Sequence, residues 1–416
     1  MLAGLDPYQH LYAHRTGSFR SSAMRDLMAI TSRPEVISLA GGLPDTKAFP
    51  PELLQELVSD VTVNDGPRAL QYGPTEGLDE LRHAIADLMA EDGTLVGAAE
   101  LIVTTGGQQA LDLLCRVLVD PGDAVLAEGP TYPGAVPVFA ACGADVHHVA
   151  VDAEGIRLDL LADAVERLAR DGRSAKFLYV IPTFQNPAGT TMSATRRREL
   201  VRFAQEHDLL VIEDEPYARL RFEGEALPSL RSLDDTGRVL YVGTVSKVFA
   251  PGVRVGWVHA PHQILHRVNL AKQGSDLCTS TFTQLLALRF LRHDRRDEVL
   301  VRMQRLYRAR RDAMVAAIEA SLPDAAFTLP RGGLFLWATL ADGLDTTDLL
   351  AAALERDVAF VPGVAAYADG RQGASSMRLN FSACDEERIA EGIGRIGVVV
   401  RERASLARAL GRRRKR

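Results

Sequence analysis

The apolar positions of this chain change period along its length, and the change divides it. Between Leu53 and Met89 they recur at helical spacing: Leu53, Leu57 and Val58 mark one helix, and Leu78, Leu81, Ile85, Leu88 and Met89 the inner face of another. The turn Tyr72-Gly-Pro-Thr-Glu-Gly-Leu78 leads into the second helix, with Thr75 as candidate N-cap and acidic residues in the first turn. From Leu101 the pattern becomes short apolar runs alternating with helical stretches. The runs are Leu101–Thr105, Ala124–Ala127, Val146–Val151, Phe177–Pro182, Leu209–Ile212, Val239–Val242 and Val253–Val258. Helices are predicted over Gln108–Val119, Asp159–Ala169 and Thr195–Glu206. Strands alternating with helices of this kind predict an α/β fold built on a mostly parallel sheet.

Two helices, Pro261–Ala271 and Thr281–Arg292, precede a longer one over Val299–Leu322, with Met303, Leu306, Tyr307, Met314 and Ile318 on one face. The pattern then changes character. Strand-like Gly333–Trp337, a helix over Thr347–Arg356, extended Ala359–Gly363 and Met377–Phe381, and a final helix from Asp385 predict a small α+β lobe. At the other end, residues 1–20 lack periodicity and Ser22–Ile30 forms a short amphipathic pattern. The expected division is an arm with a short helix over 1–45, packing with the small domain, a large domain over 46–297, a small domain over 298–410, and a disordered basic tail over 411–416.

Composition agrees with two lobes: 416 residues exceed the roughly 250–300 that one core supports. A net charge of −6 gives no reason to expect nucleic acid as a partner; only Gly411–Arg416 is strongly basic. The four cysteines lie far apart, without Cys-x-x-Cys or a His/Cys cluster, which argues against a metal site or a disulfide framework. There is no secretory leader pattern and no apolar run long enough to span a membrane, so a cytoplasmic location is expected.

The candidate chemistry sits where the predicted strands end. Val239–Val242 runs into Gly243-Thr244-Val-Ser246-Lys247, and Arg254 follows Pro251-Gly252. A lysine at the mouth of a buried strand is partly desolvated, which lowers its pKa and makes its amine nucleophilic. Thr244, Ser246 and Arg254 are the donors that a phosphate requires. Lysine plus phosphate cradle suggests pyridoxal phosphate, whose aldehyde forms a Schiff base with lysine; the alternative for this segment alone is a surface lysine after an edge strand. Gly106-Gly107-Gln108 ends another strand and opens a helix, again suited to phosphate. Asp214 would keep a pyridine nitrogen protonated, while Asn186 and Tyr217 could bond the ring's phenolate oxygen. Arg378, from the small lobe, could grip a substrate carboxylate with both nitrogens. Tyr132 is either a loop packing residue or a ring stacked on a flat cofactor, and Gly41-Gly42 either a tight turn or backbone passing close to a ligand. Glu213 and Glu215, flanking Asp214, are expected to be solvent-exposed, since three buried carboxylates at one strand end are costly without a cationic partner.

Together these segments resemble a fold-type I pyridoxal phosphate aminotransferase of class I/II, in the subgroup of 2-aminoadipate (LysN-type) and kynurenine/aminoadipate aminotransferases. The blocks that carry the resemblance are ISLAGGLP (37–44), LQYGPTEG (70–77), TTGGQQAL (104–111), PTFQNPAG (182–189), DEPY (214–217), SKVFAPGVR (246–254), AKQGSDL (271–277), GGLFLW (332–337) and MRL (377–379). It implies a large domain with a seven-stranded sheet and a smaller α+β domain. It also implies Lys247 as the Schiff-base lysine, Asp214 on the pyridinium, Asn186 and Tyr217 on the phenolate oxygen and Tyr132 against the ring. Arg378 would take the α-carboxylate, beside Gly42. Gly107, Gln108, Thr244, Ser246 and Arg254 would surround the phosphate, with Tyr72 reaching over from the second subunit of a homodimer. Arg25, on a mobile N-terminal helix, would engage a distal acidic group. Two departures stand out: Gly107 occupies a position where relatives often carry serine, and Val364-Ala-Ala-Tyr367 follows Pro362-Gly363 where relatives are richer in phenylalanine.

The expected activity is transfer of an α-amino group between an L-amino acid and a 2-oxo acid by a ping-pong mechanism. One pair would be glutamate/2-oxoglutarate; 2-aminoadipate, an aromatic or a branched-chain amino acid would supply the other. Two alternatives stay open at this point. One is elimination, decarboxylation or oxidation on the same fold, which shares the lysine and the aspartate. The other is a ligand-sensing domain, against which only about 20 residues precede the family-like region, too few for a winged helix.

Overall fold

A computed structural model describes residues 6–19, 33–341 and 343–414. Its strands are β1 (Ile37–Ser38), β2 (Leu101–Thr104), β3 (Ala124–Gly129), β4 (Asp145–Asp152), β5 (Gly155–Ile156), β6 (Ala175–Val180), β7 (Leu210–Asp214), β8 (Val239–Thr244), β9 (Gly256–His259), β10 (Ala326–Phe327), β11 (Phe335–Thr339), β12 (Val358–Ala359), β13 (Val361–Pro362) and β14 (Ser376–Asn380). The large sheet has the order β2-β9-β8-β7-β6-β3-β4-β5. Strands β8, β7, β6, β3 and β4 are mutually parallel, and β9 runs antiparallel to both neighbours. The expected seven strands are all present, and the two-residue β5 folds back on β4 as an eighth.

Both faces of the sheet are covered. In β6, Phe177 and Tyr179 pack into one core while Leu178 and Val180 pack into the other, as a two-residue period requires. Helices Gly107–Leu118, Leu158–Arg170 and Ala194–Glu206 connect the parallel strands. Hence the strands read as continuous apolar runs rather than alternating ones.

The lysine-bearing hairpin departs from its expected form. The run expected from Val253 begins as a strand only at Gly256, because Pro251–Val253 form a 3-10 turn and Arg254 is left-handed at φ 52°. The helix expected at Thr75 starts instead at Asp79, after Gly77 at φ +98°, and Leu78 N–H donates to Gln284 Oε1 at 2.8 Å. The N-cap residue Leu78 thus takes its own partner from a side chain 206 residues away, and among the described residues no side chain caps the first N–H groups of the helix.

Long helices Arg296–Ser321 and Glu386–Arg414 pack against each other in the C-terminal region, which also holds a four-stranded antiparallel sheet, β10-β11-β14-β13. The short β1 pairs in parallel with β12, which carries the chain's early part onto this C-terminal region. The last helix differs from the expected disordered tail by continuing to Arg414. Past Gly411 the sequence holds only arginine and lysine, which favour a helix C-terminus. The expected helix Ser22–Ile30, with Arg25, lies outside the described residues.

Candidate active site

The C-terminal ends of the parallel strands converge on one cavity of about 490 Å³. Strand β6 delivers Asn186, β7 delivers Asp214 and Tyr217, and β8 delivers Thr244, Ser246 and Lys247. The turn after β2 brings Gly107 and Gln108, and β14 of the small sheet supplies Arg378. Gly42, Tyr132 and Arg254 complete the predicted set that lines it. Tyr72 does not: it lies outside the cavity with 78% of its surface exposed. Arg25 is outside the described residues.

Lys247 Nζ donates to the carbonyl of Gly42 at 2.7 Å. Burial, aided by the Arg378 and Arg254 charges, lowers its pKa to about 8, although Asp214 pulls the other way. Asp214 accepts a hydrogen bond from Tyr179 Oη at 2.6 Å. Burial raises its pKa to about 6, against the opposing pull of that bond and of Lys247. At neutral pH the carboxyl is mostly ionised and roughly a tenth of the lysine is a free amine.

Above them, Asn186 Nδ2 donates to Tyr217 Oη at 3.2 Å, and Arg378 Nη1 donates to Asn186 Oδ1 at 3.1 Å. Arg378 Nη2 donates to Ala40 O at 2.8 Å, and its guanidinium lies 4.4 Å from the centre of the Phe335 ring. Burial lowers the Arg378 pKa to about 10, which leaves it cationic at neutral pH. Gly42 is closely packed here: a Cβ would sit 3.0 Å from that same ring, which would have to give by a few tenths of an ångström.

The far end of the cavity gathers donors. Helix Gly107–Leu118 opens there, with Gly106 at φ +77° as its N-cap. A Cβ on Gly106 would press into the Arg254 guanidinium, 2.7 Å from Cζ, and one on Gly256 would sit 2.8 Å from Gly107 N. Thr244 Oγ1 donates to Val255 O at 2.9 Å and lies 2.8 Å from Ser246 Oγ. Arg254 Nη2 donates to Thr105 O at 3.2 Å. Helix N–H groups, two hydroxyls and an arginine at one end, with a carboxylate and a lysine elsewhere in the same cavity, match a phosphorylated pyridine aldehyde. Pyridoxal phosphate fits this donor set. Among the described residues no group of three or more His, Cys, Asp or Glu side chains could hold a metal ion.

The carboxylates beside Asp214 are not exposed, contrary to the sequence expectation. Glu213 is fully buried and accepts the backbone N–H groups of Leu230 and Arg231 at 2.7 and 2.8 Å. Glu215 is buried too, beside Thr183 Oγ1 and 3.9 Å from the buried guanidinium of Arg197. Arginine and capped backbone supply the compensation that three exposed carboxylates would not need. Tyr179 was not anticipated either. Its one sequence signal is a phenol in the middle of an apolar strand, which must find a partner when buried.

The family model for aminotransferases of class I and II matches residues 34–396. Aromatic-amino-acid aminotransferase 1 of Thermococcus litoralis is 40% identical over 397 residues, covering 95% of each chain. The crystal structure of Pyrococcus horikoshii kynurenine aminotransferase, in complex with PMP, superposes with a TM-score of 0.91 at 37% identity, covering 95% of this chain and 98% of that one. LysN, the α-aminoadipate aminotransferase of Thermus thermophilus, complexed with N-(5'-phosphopyridoxyl)-L-leucine, superposes at 0.89 with 36% identity, covering 97% and 100%. A cavity whose strand ends carry lysine, aspartate and a phosphate-type donor cluster, in a chain this similar along its length, leaves one conclusion: the chain belongs to the class I and II aminotransferases and is a pyridoxal phosphate-dependent transaminase.

Proposed function

We propose that this cavity exchanges an amino group between an L-amino acid and a 2-oxo acid by a ping-pong route, with glutamate/2-oxoglutarate as one pair. The observation that carries the assignment of roles is the meeting of Lys247, Asp214 and Arg378 in one cavity. When bound, the cofactor supplies an aldehyde that accepts the amine and a ring that draws electrons from Cα. Lys247, its amine partly neutral at pH 7, would bind the cofactor's aldehyde and move the proton at substrate Cα. Asp214, braced by Tyr179, would keep the ring nitrogen protonated. Tyr217 and Asn186 would hold the ring oxygen, Tyr132 the ring, and Gly107, Gln108, Thr244, Ser246 and Arg254 the phosphate. Arg378 would grip the α-carboxylate, with Gly42 beside it.

The cavity also has apolar walls, among them Leu43, Pro137 and Phe335, and its lysine and arginine lining residues are Lys247, Arg254 and Arg378, among the described residues. All three have roles above, so aromatic and branched side chains suit the walls, whereas 2-aminoadipate or glutamate would need Arg25. The neighbouring Leu70 and Tyr72 are 90% and 78% exposed, which is consistent with a homodimer in which Tyr72 of the partner subunit would complete the phosphate site. The separate large and small sheets support a division near residues 45 and 297. Four scattered cysteines suit a reducing cytosol, where the enzyme would act; no described helix is long and apolar enough to cross a membrane.

A half-reaction screen tests the whole reading. Mixing the holoenzyme with single amino acids should bleach the cofactor's visible absorbance, and 2-oxoglutarate should restore it. Loss of absorbance that no 2-oxo acid restores, or release of ammonia or carbon dioxide, would favour elimination or decarboxylation instead.

A further inference from the structure

The chain buries a second lysine that the mechanism does not use. Lys272, near the end of helix His262–Gln273, has no exposed surface. Its ammonium donates to both oxygens of Asp276, at 2.7 and 2.9 Å, to Thr279 Oγ1 at 3.1 Å and to Gln109 Oε1 at 3.3 Å. Asp276 keeps a quarter of its side chain exposed, but the ammonium of Lys272 is fully buried; a buried charge stabilises a fold only when its hydrogen-bonding capacity is met, and replacement by apolar residues is often tolerated. Its presence therefore asks for a reason beyond stability.

Its other partners supply one. Asp276 Oδ2 also accepts from Thr105 Oγ1 at 2.8 Å, and Gln109 Oε1 accepts the Thr105 backbone N–H at 2.6 Å. Thr105 is thus held at hydroxyl and amide by two groups that both rest on Lys272. Its third polar group, the carbonyl, accepts Arg254 Nη2 at 3.2 Å. The next residues are Gly106, left-handed at φ +77°, and Gly107, where the helix opens. None of Lys272, Asp276, Gln109 or Thr105 lines the active-site cavity.

We propose that Lys272, Asp276 and Thr105 are positioning residues for phosphate binding: together they fix the Thr105 carbonyl that aims Arg254 and the turn that presents the helix N–H groups. The idea rests on the assignment of Arg254 and that turn to the phosphate, so the test separates the two. Fixing a loop in advance removes its ordering cost from binding, and the gain belongs only to a ligand that uses the loop. The discriminating pair of ligands is therefore pyridoxal phosphate and pyridoxal, which share ring and aldehyde and differ in the phosphate.

Both ligands are titrated into cofactor-free full-length protein by absorbance, for the parent, Arg254→Gln, Asp276→Asn, Thr105→Val and Thr105→Ser. Arg254→Gln should weaken pyridoxal phosphate and spare pyridoxal; equal preference to the parent would overturn the phosphate assignment itself. With that in place, Asp276→Asn and Thr105→Val should weaken pyridoxal phosphate by roughly ten- to a hundred-fold and pyridoxal by less than about three-fold, with Thr105→Ser restoring the parent value. Thr105→Val removes one hydroxyl at constant shape, so it decides the matter even if Asp276→Asn does not fold. Unchanged affinity in Thr105→Val, or equal weakening of both ligands, would overturn the proposal and leave the Lys272–Asp276 pair a structural contact.

Discussion

Tyr179→Phe offers a measured handle on the electrostatics of Asp214. The substitution removes one oxygen and keeps the ring, which packs edge-on against Phe139 with centroids 5.6 Å apart, so the fold should persist. What is lost is the 2.6 Å hydrogen bond from Tyr179 Oη to Asp214 Oδ2. A bond to a charged group contributes about 1.5–3 kcal/mol, and about 1.36 kcal/mol corresponds to one pKa unit. Because the bond favours the ionised form, its removal should raise the Asp214 pKa from about 6 to about 7–8 in the cofactor-free protein. At pH 6.5 the ionised fraction then falls roughly 3- to 25-fold, while at pH 9 it stays near complete. If the carboxylate holds the protonated ring nitrogen, pyridoxal phosphate affinity should follow that fraction. Absorbance titrations across pH 6–9 for parent and variant give the ratio of dissociation constants, in which the cofactor's own ionisations cancel. A ratio that is flat with pH, or equal to one throughout, would refute the assignment of Asp214 and Tyr179 to the ring.

Borohydride treatment of the holoenzyme followed by peptide mapping should place the label on Lys247; a label on Lys272 or Lys176 would move the active lysine. Lys247→Ala should still bind cofactor through the phosphate groups while losing at least about 10²–10⁴-fold in turnover, read by steady-state assay. Without cofactor, Lys247→Met should be more stable than the parent by roughly 2–4 kcal/mol below pH 8, because the folded state holds the lysine pKa near 8, well below its ordinary value. The unfolded chain binds the extra proton between about pH 8 and 10.4, so the parent gains stability with rising pH there and the difference should vanish above it in denaturant titrations. Arg378→Ala should raise KM for every amino acid tested, whereas Arg25→Ala should cut kcat/KM by roughly ten- to a hundred-fold only for substrates with a distal carboxylate. A common fall for acidic and apolar substrates would make Arg25 a structural residue.

Much of this site was legible in the chain alone because its chemistry sits where a local pattern ends. Seven apolar runs located the strands, and Gly106-Gly107, Asn186, Asp214 and Lys247 fall at or just beyond their ends. Period and strand length are properties of neighbouring residues, so they survive without tertiary information. The same holds for the small lobe, whose short strands and flanking helices were recognisable though their pairing was not. What lay beyond reach involved partners far apart in sequence. Nothing local puts β9 antiparallel between β2 and β8, gives Tyr179 to Asp214, or closes Leu78 with Gln284. The expectation that Glu213 and Glu215 face water failed for that reason: a carboxylate's environment depends on which cation or backbone N–H packing brings to it, here Arg197 and the start of Leu230–Leu233. Lys272 makes the same point. As a sequence position it is one lysine on an amphipathic helix; only the packing of that helix against the turn after β2 joins it to Thr105 and Arg254. Covalent order determined which groups stand at the strand ends, and close packing, which no local period encodes, decided what charge and what partner each one meets there.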